Sequence, residues 1–267
     1  MTAVQTAPET LDGVAPGGTG SRTKKISIFR LTQVELRKLA DTRSGLWLLI
    51  VIALAAAGTA AILLLAAPAE EQTFAGLLSF GLVPAAVLLP VLGILSMTSE
   101  WSQRTAVNTF TLVPARGRVI TAKLAAAALI AVAATVAAAV LSAGANLIAI
   151  GTGGDGSWHI DAALIGQLVL MQVIFVLMGS AFGALLMNSP LAIVLYFAIP
   201  TVWSVLGEMV KWLNTAAGWL DLNRTSAPMS EPGMTGDDWA RMGVATAVWV
   251  VLPLVLGTVR VLRREVS

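Results

Sequence analysis

Residues 161–208 read DAALIGQLVLMQVIFVLMGSAFGALLMNSPLAIVLYFAIPTVWSVLGE. The charged residues of this stretch, Asp161 and Glu208, stand at its two ends. Between them run two apolar segments, 161–187 and 190–208, parted by Asn188-Ser189. Each is close to the roughly 20 residues that a helix needs to cross a bilayer core. Pro190 suits the first turn of a helix, so the pair reads as a tight hairpin of two membrane-spanning helices.

Four further apolar runs, at 45–67, 74–97, 120–150 and 242–262, bring the expected number of spans to six. The third run is long enough to tilt or to project from the bilayer. The composition agrees. The 267 residues are 57% hydrophobic and only 12% charged, about half the charged fraction of a soluble domain. Membrane burial explains the deficit, because each charge placed in hydrocarbon costs kilocalories. The expected fold class is an all-α membrane protein of six transmembrane helices, with little chain left for a second domain.

Residues 1–25 are rich in Thr, Ala, Pro and Gly and are expected to be a disordered cytosolic tail. They lack the short cationic start and apolar core of a secretory signal. Residues 26–44 are expected to hold an amphipathic interfacial helix. Phe29, Thr32, Leu36, Leu39 and Ala40 recur on one face, with Arg30, Arg37 and Lys38 on the other. Residues 45–264 form the six-helix domain, with a cytosolic segment at 98–119 and an outer segment at 208–240.

Charge placement gives the orientation. With the N-terminus inside, most lysines and arginines lie on the inner side, and Lys123 and Arg260 reach it from span ends. Lys211, Arg224 and Arg241 lie outside, among most of the acidic residues. The positive-inside rule therefore places both termini in the cytoplasm of a bacterial inner membrane protein. Trp158, Trp203, Trp212, Trp219 and Trp239 gather at the outer edge as an aromatic belt, and Trp47 marks the inner edge of the first span. In the outer segment, Trp212, Leu213, Ala216, Trp219 and Leu220 share one helical face, which predicts an interfacial or re-entrant helix.

Several chemistries are disfavoured. There is no cysteine, and His159 is the single histidine, so neither a disulfide nor a histidine-rich metal site can form within one chain. A net charge of +2 gives no reason to expect nucleic acid. The spans hold almost no ionisable groups, so no catalytic residue is expected. No G-x-x-x-x-G-K-[ST] run cradles phosphates. The chain is expected to bind no cofactor itself.

The segment between the second and third spans is the most informative. It runs Ser99-Glu100-Trp101-Ser102-Gln103-Arg104-Thr105 and, after three residues, Thr109-Phe110-Thr111-Leu112-Val113-Pro114-Ala115-Arg116-Gly117-Arg118. A cytosolic helix over 99–112 would end before Pro114. Glu100 and Arg104 stand four apart on one face of it. Trp101 and Phe110 have no soluble core to enter, so they are expected to pack on a partner or on the membrane underside, a solvated loop with headgroup-binding arginines being the alternative.

An acidic residue closing the second span, an Arg/Thr segment, a Pro-x-Arg turn and a lysine opening the third span resemble the permease subunits of ABC exporters. The likeness is to the six-span ABCG-like class of bacterial drug, antibiotic and lipid exporters. Glu35-Leu36-Arg37-Lys38-Leu39 is similar to the elbow before the first span of that class. Asn188-Ser189-Pro190-Leu191-Ala192 is similar to its turn between the fourth and fifth spans, although Met187 stands where that turn often has arginine.

The resemblance implies a permease that pairs with a second copy, more readily a homodimer than a heterodimer, in the lipid bilayer. Each copy binds a separate cytosolic ABC ATPase that carries ATP and Mg. It makes Glu100, Trp101, Gln103, Arg104, Phe110 and Arg116 the coupling candidates. It also places the second and fifth spans at the substrate pathway. Gly81, Pro84, Pro90 and Gly93 in the second span and Pro200 in the fifth are helix-breaking residues, whose freed backbone groups need neighbours or a wet cavity. Phe80, Leu88, Tyr196, Phe197 and Trp203 are the expected cavity lining, ordinary kinked packing being the alternative. Near-neutral spans suit a hydrophobic or amphipathic cargo. The rival functions are a non-transporting sensor or immunity subunit on the same scaffold, and an intramembrane enzyme.

Overall fold

The computed structural model describes residues 27–102 and 116–263. Helices account for nearly all of them, and six stretches are long and apolar enough to cross a membrane: 43–66, 74–100, 116–152, 162–186, 189–209 and 236–263. Each apolar run of the sequence falls on one of these helices, overrunning its limits by no more than one residue.

The chain enters through α1 (Ile28–Asp41), capped by the Ser27 hydroxyl, which accepts the Arg30 N–H. Thr42 then serves two helices. Its N–H donates to Lys38 O at the end of α1, and its hydroxyl accepts the Gly45 N–H at the start of α2 (Arg43–Ala66). The buried face of α1 is Thr32, Glu35 and Leu39. Of the sequence-predicted apolar face, Thr32 and Leu39 are buried against the bundle, Leu36 is half-buried, Phe29 and Ala40 are exposed, and a carboxylate takes a central place on the buried side.

The second span is two helices, α3 (Phe74–Gly81) and α4 (Val83–Ser102), broken at Leu82. Pro84 lacks an N–H, so the regular ladder cannot run through this point. The fully buried Gln172 amide donates to Leu82 O at 3.1 Å and supplies a partner at the break. Helix α4 packs on α6 (Ala162–Leu186) backbone to backbone. A Cβ on Gly93 would lie 2.6 Å from Val176 O, and one on Gly179 would run into Pro90. The G-x-x-x-G of Gly179 and Gly183 is thus an intrachain seam, the expected use of small residues where helices approach closely.

Helix α5 (Arg116–Thr152) is roughly 55 Å long at 1.5 Å per residue, well beyond a hydrocarbon core of roughly 30 Å. The hairpin from α6 to α7 (Ser189–Met209) turns on Met187, whose φ of 51° is left-handed, and on Asn188, whose side chain accepts the Leu191 N–H. Helices α8 (Lys211–Leu220) and α9 (Leu222–Ser226) follow in the segment between the fifth and sixth spans. The last span joins α10 (Gly236–Thr246) to α11 (Leu252–Arg263) through a π turn at 247–251. In that turn Leu252 N–H reaches back to Ala247 O, just before Pro253. A π turn absorbs the donor that proline removes.

Candidate functional site

Three elements distant in sequence meet at the end of the bundle where α4 ends and α5 begins. Lys123, one residue past the second turn of α5, is 3% exposed. Its ammonium donates to Glu35 Oε2 of α1 at 2.7 Å and to Ser96 O of α4 at 3.0 Å, and lies 3.2 Å from Glu100 Oε1. Lys38 joins from α1, 2.7 Å from Glu35 Oε1 and 3.5 Å from Glu100 Oε1. Two carboxylates and two ammonium groups make a neutral quartet, which is what allows such groups to be buried.

The carboxylate and ammonium on α1 answer to this setting. Burial pushes the Glu35 carboxyl up, but the Lys123 charge and its hydrogen bond, with those of Lys38, outweigh it and hold Glu35 below the usual carboxylate range. Burial likewise pulls Lys38 down, and the hydrogen bond and charge of Glu35, with Glu100 beside it, raise it above its ordinary value. Both shifts favour the ionised pair.

A cavity of about 400 Å³ opens beside the quartet. It is walled by α1, Thr42 and Ser44 at the head of α2, the second half of α4, Lys123 of α5, and Ser189 at the head of α7. Thr98 and Ser189 hydroxyls, 2.6 Å apart, tie α4 to α7 nearby.

The sequence-predicted coupling residues divide at this point. Glu100 is buried in the quartet, with Lys123 and Lys38 as its partners among the described residues. Residue 101 continues α4, so the described start of the connecting segment is an extension of the second span. Arg116 opens α5 and its guanidinium donates to Val261 O of α11 at 3.2 Å. Gln103, Arg104 and Phe110 lie outside the described residues.

A second cavity, of about 300 Å³, lies among the second, fourth and fifth spans, with Leu222, Asn223 and Ser230 also on its wall. Tyr196 and Phe197 line it with Val83, Val87, Phe175 and Met178. Two of the five expected lining residues are thus brought together. Phe80 is exposed, and Leu88 and Trp203 are half-buried; none of these three is on this cavity wall.

Sequence reading placed Lys123 at a span end reaching for headgroups and Glu35 within an elbow motif, and it did not join them. The available signal was Glu35 at the i+3 position from Thr32 and i−4 from Leu39, a carboxylate on a buried stripe. Among the described residues no group of His, Asp or Glu is arranged to hold a metal ion. No family model matches the chain, and no curated protein is significantly similar to it.

Proposed function

We propose that this chain is the membrane permease subunit of an ABC exporter of the ABCG-like class, which moves a hydrophobic or amphipathic molecule by alternating access. A separate cytosolic ATPase supplies the energy, and a second permease copy completes the pathway. The observation that carries this reading is the quartet at the roots of the connecting segment. Glu100, where the second span ends, and Lys123, near the start of the third, are bound to each other and to the elbow helix α1. A force applied to residues 103–115 by a partner has a bonded route into three helices. The cavity faced by Tyr196 and Phe197, among the second, fourth and fifth spans, supports the same reading. The interfacial elbow, the α8 helix as an outer re-entrant element, and inside termini belong to the proposal as well.

The test is purification of the tagged chain from its native membrane. An ABC-type ATPase should co-purify, and Trp101→Ala should weaken that association or uncouple hydrolysis from transport while insertion is kept. The chain freed of its partner should hydrolyse no ATP. Hydrolysis by the pure single chain, or wild-type assembly and coupling in the Trp101→Ala and Arg104→Ala variants together, counts against the proposal.

A further inference from the structure

The cavity beside the quartet has hydrogen-bonding capacity that the protein itself does not use. All three protons of Lys123 Nζ have oxygen neighbours, on Glu35, Ser96 and Glu100. Lys38 Nζ has two, and its side chain is 45% exposed, which leaves one proton for something outside. Both lysines meet Glu100 through Oε1, so Oε2 has no donor among the described residues. Ser96 lines the same cavity, is 5% exposed, and its hydroxyl is without a partner among the described residues. A buried hydroxyl left in that state costs free energy.

A ligand that completes this site must bring a donor to Glu100 and Ser96 and an acceptor to Lys38. The site is neutral as a whole, so the ligand should be a zwitterion. Its position narrows the choice further. Arg43, Glu100 and Ser189 are the end residues of three candidate spans, so the cavity lies at headgroup depth. Its other wall is apolar: Leu39 and Leu95, the latter roughly 7.5 Å deeper than Glu100 along α4, with the fully buried Leu92 behind them. Polar at the span ends and apolar further in is the profile of a phospholipid. A primary ammonium can donate to Glu100 and Ser96, whereas a quaternary choline carries no N–H, and a phosphatidylglycerol headgroup brings no cation.

We propose that this cavity binds an aminophospholipid of the phosphatidylethanolamine type, its ammonium at Glu100 and Ser96, its phosphate at Lys38 and its chains leaving along Leu39 and Leu95. Bound there, the lipid bridges α1 and α4 at the same place as the quartet.

Native mass spectrometry of the full-length protein, purified and offered equal phosphatidylethanolamine, phosphatidylcholine and phosphatidylglycerol, tests this. Phosphatidylethanolamine should be retained roughly tenfold over either other lipid, the factor that one charge-assisted hydrogen bond supplies. Lys38→Gln and Ser96→Ala should each reduce that preference several-fold. Ser96→Ala removes one small hydroxyl, and its unchanged melting point would separate lost binding from lost folding. Retention without preference among the three lipids, or an undiminished preference in both variants, overturns the site. A parallel titration with soluble phosphoethanolamine distinguishes the source. Saturable binding of the free headgroup with no lipid retained overturns the lipid as the occupant.

Discussion

The two ends of the bundle are held by different chemistry. At the Lys123 end, α1, α4 and α5 are joined by charges: Lys123 and Lys38 against Glu35 and Glu100. At the other end, neutral amides and backbone groups make most of the ties. Gln72 donates to Leu64 O and Ala67 O at the close of α2, Asn146 donates to Gly156 O, and Asn214 donates to Gly207 O. The loops 69–74 and 154–157 add backbone bonds such as Phe74 N–H to Ser157 O, with Phe74 stacked on Trp158. An ion pair can be released by a proton, a counter-charge or a partner, and a neutral amide cannot. The difference marks the Lys123 end as the adjustable one and the opposite end as the fixed one.

The strongest way to break this contrast is Lys123→Met. Removing one member of a buried charge cluster leaves the others uncompensated and costs about 3–5 kcal/mol. The melting temperature in detergent should fall, and α1 should lose its hydrogen-exchange protection while 69–74 and 154–157 keep theirs. Equal loss at both ends would show that the quartet is not a local lock.

Acidification is the next test, and its sign follows from the two shifts. Glu35 is depressed below its ordinary 4.5, so its contribution is full above the unfolded value and is lost as pH falls through the folded one. Lys38 is raised above 10.5, so its contribution is full below that value and is lost as pH rises through the folded one. Attachment of α1 should therefore be constant across neutral pH and weaken below about pH 4.5. The chain has no cysteine, so a single Thr32→Cys on the buried face of α1, compared at each pH with Phe29→Cys on its exposed face, gives a labelling ratio from which the pH dependence of the thiol itself cancels. A ratio that does not change down to pH 3 would refute the titratable lock.

Gln72→Ala probes the other end. It removes two hydrogen bonds from a side chain that is 8% exposed and should cost about 1–2 kcal/mol. Its effect should not vary between pH 4 and 8, in contrast to Lys123→Met. The smallest effect is expected for Asp237→Asn. That carboxylate meets Arg241 at 2.6 Å, but both side chains are exposed. Such an i,i+4 pair contributes about 0.3–0.5 kcal/mol, so a shift in melting temperature near the limit of measurement is expected.

The spans were legible because an apolar run of fixed length is a local signal. Gly81 and Pro84, at the break in the second span, were legible as helix-breaking residues, while Pro90 and Gly93, named with them, lie inside the continuous α4. The quartet was not legible. Lys123 and Glu35 are 88 residues apart, and a lysine near a span end has an ordinary explanation in headgroups. A helical wheel for α1 also sets charged residues aside before asking which face is buried. Gln172 escaped notice likewise, because one amide in a long apolar run carries no periodicity, and its meaning depends on the Leu82 carbonyl opposite.

Thr42 has a consequence for how this protein can change its length. One residue closes α1 and opens α2, with no spacer between the two caps. An inserted residue there would turn α2 by roughly 100° about its axis relative to α1, and Gly45, against which a Cβ would collide with Leu39 O, leaves no room to absorb the turn. Insertions and deletions in related chains should therefore collect before Ser27 and in the loops at the end of the bundle opposite Lys123, and the junction at residue 42 should keep a constant spacing.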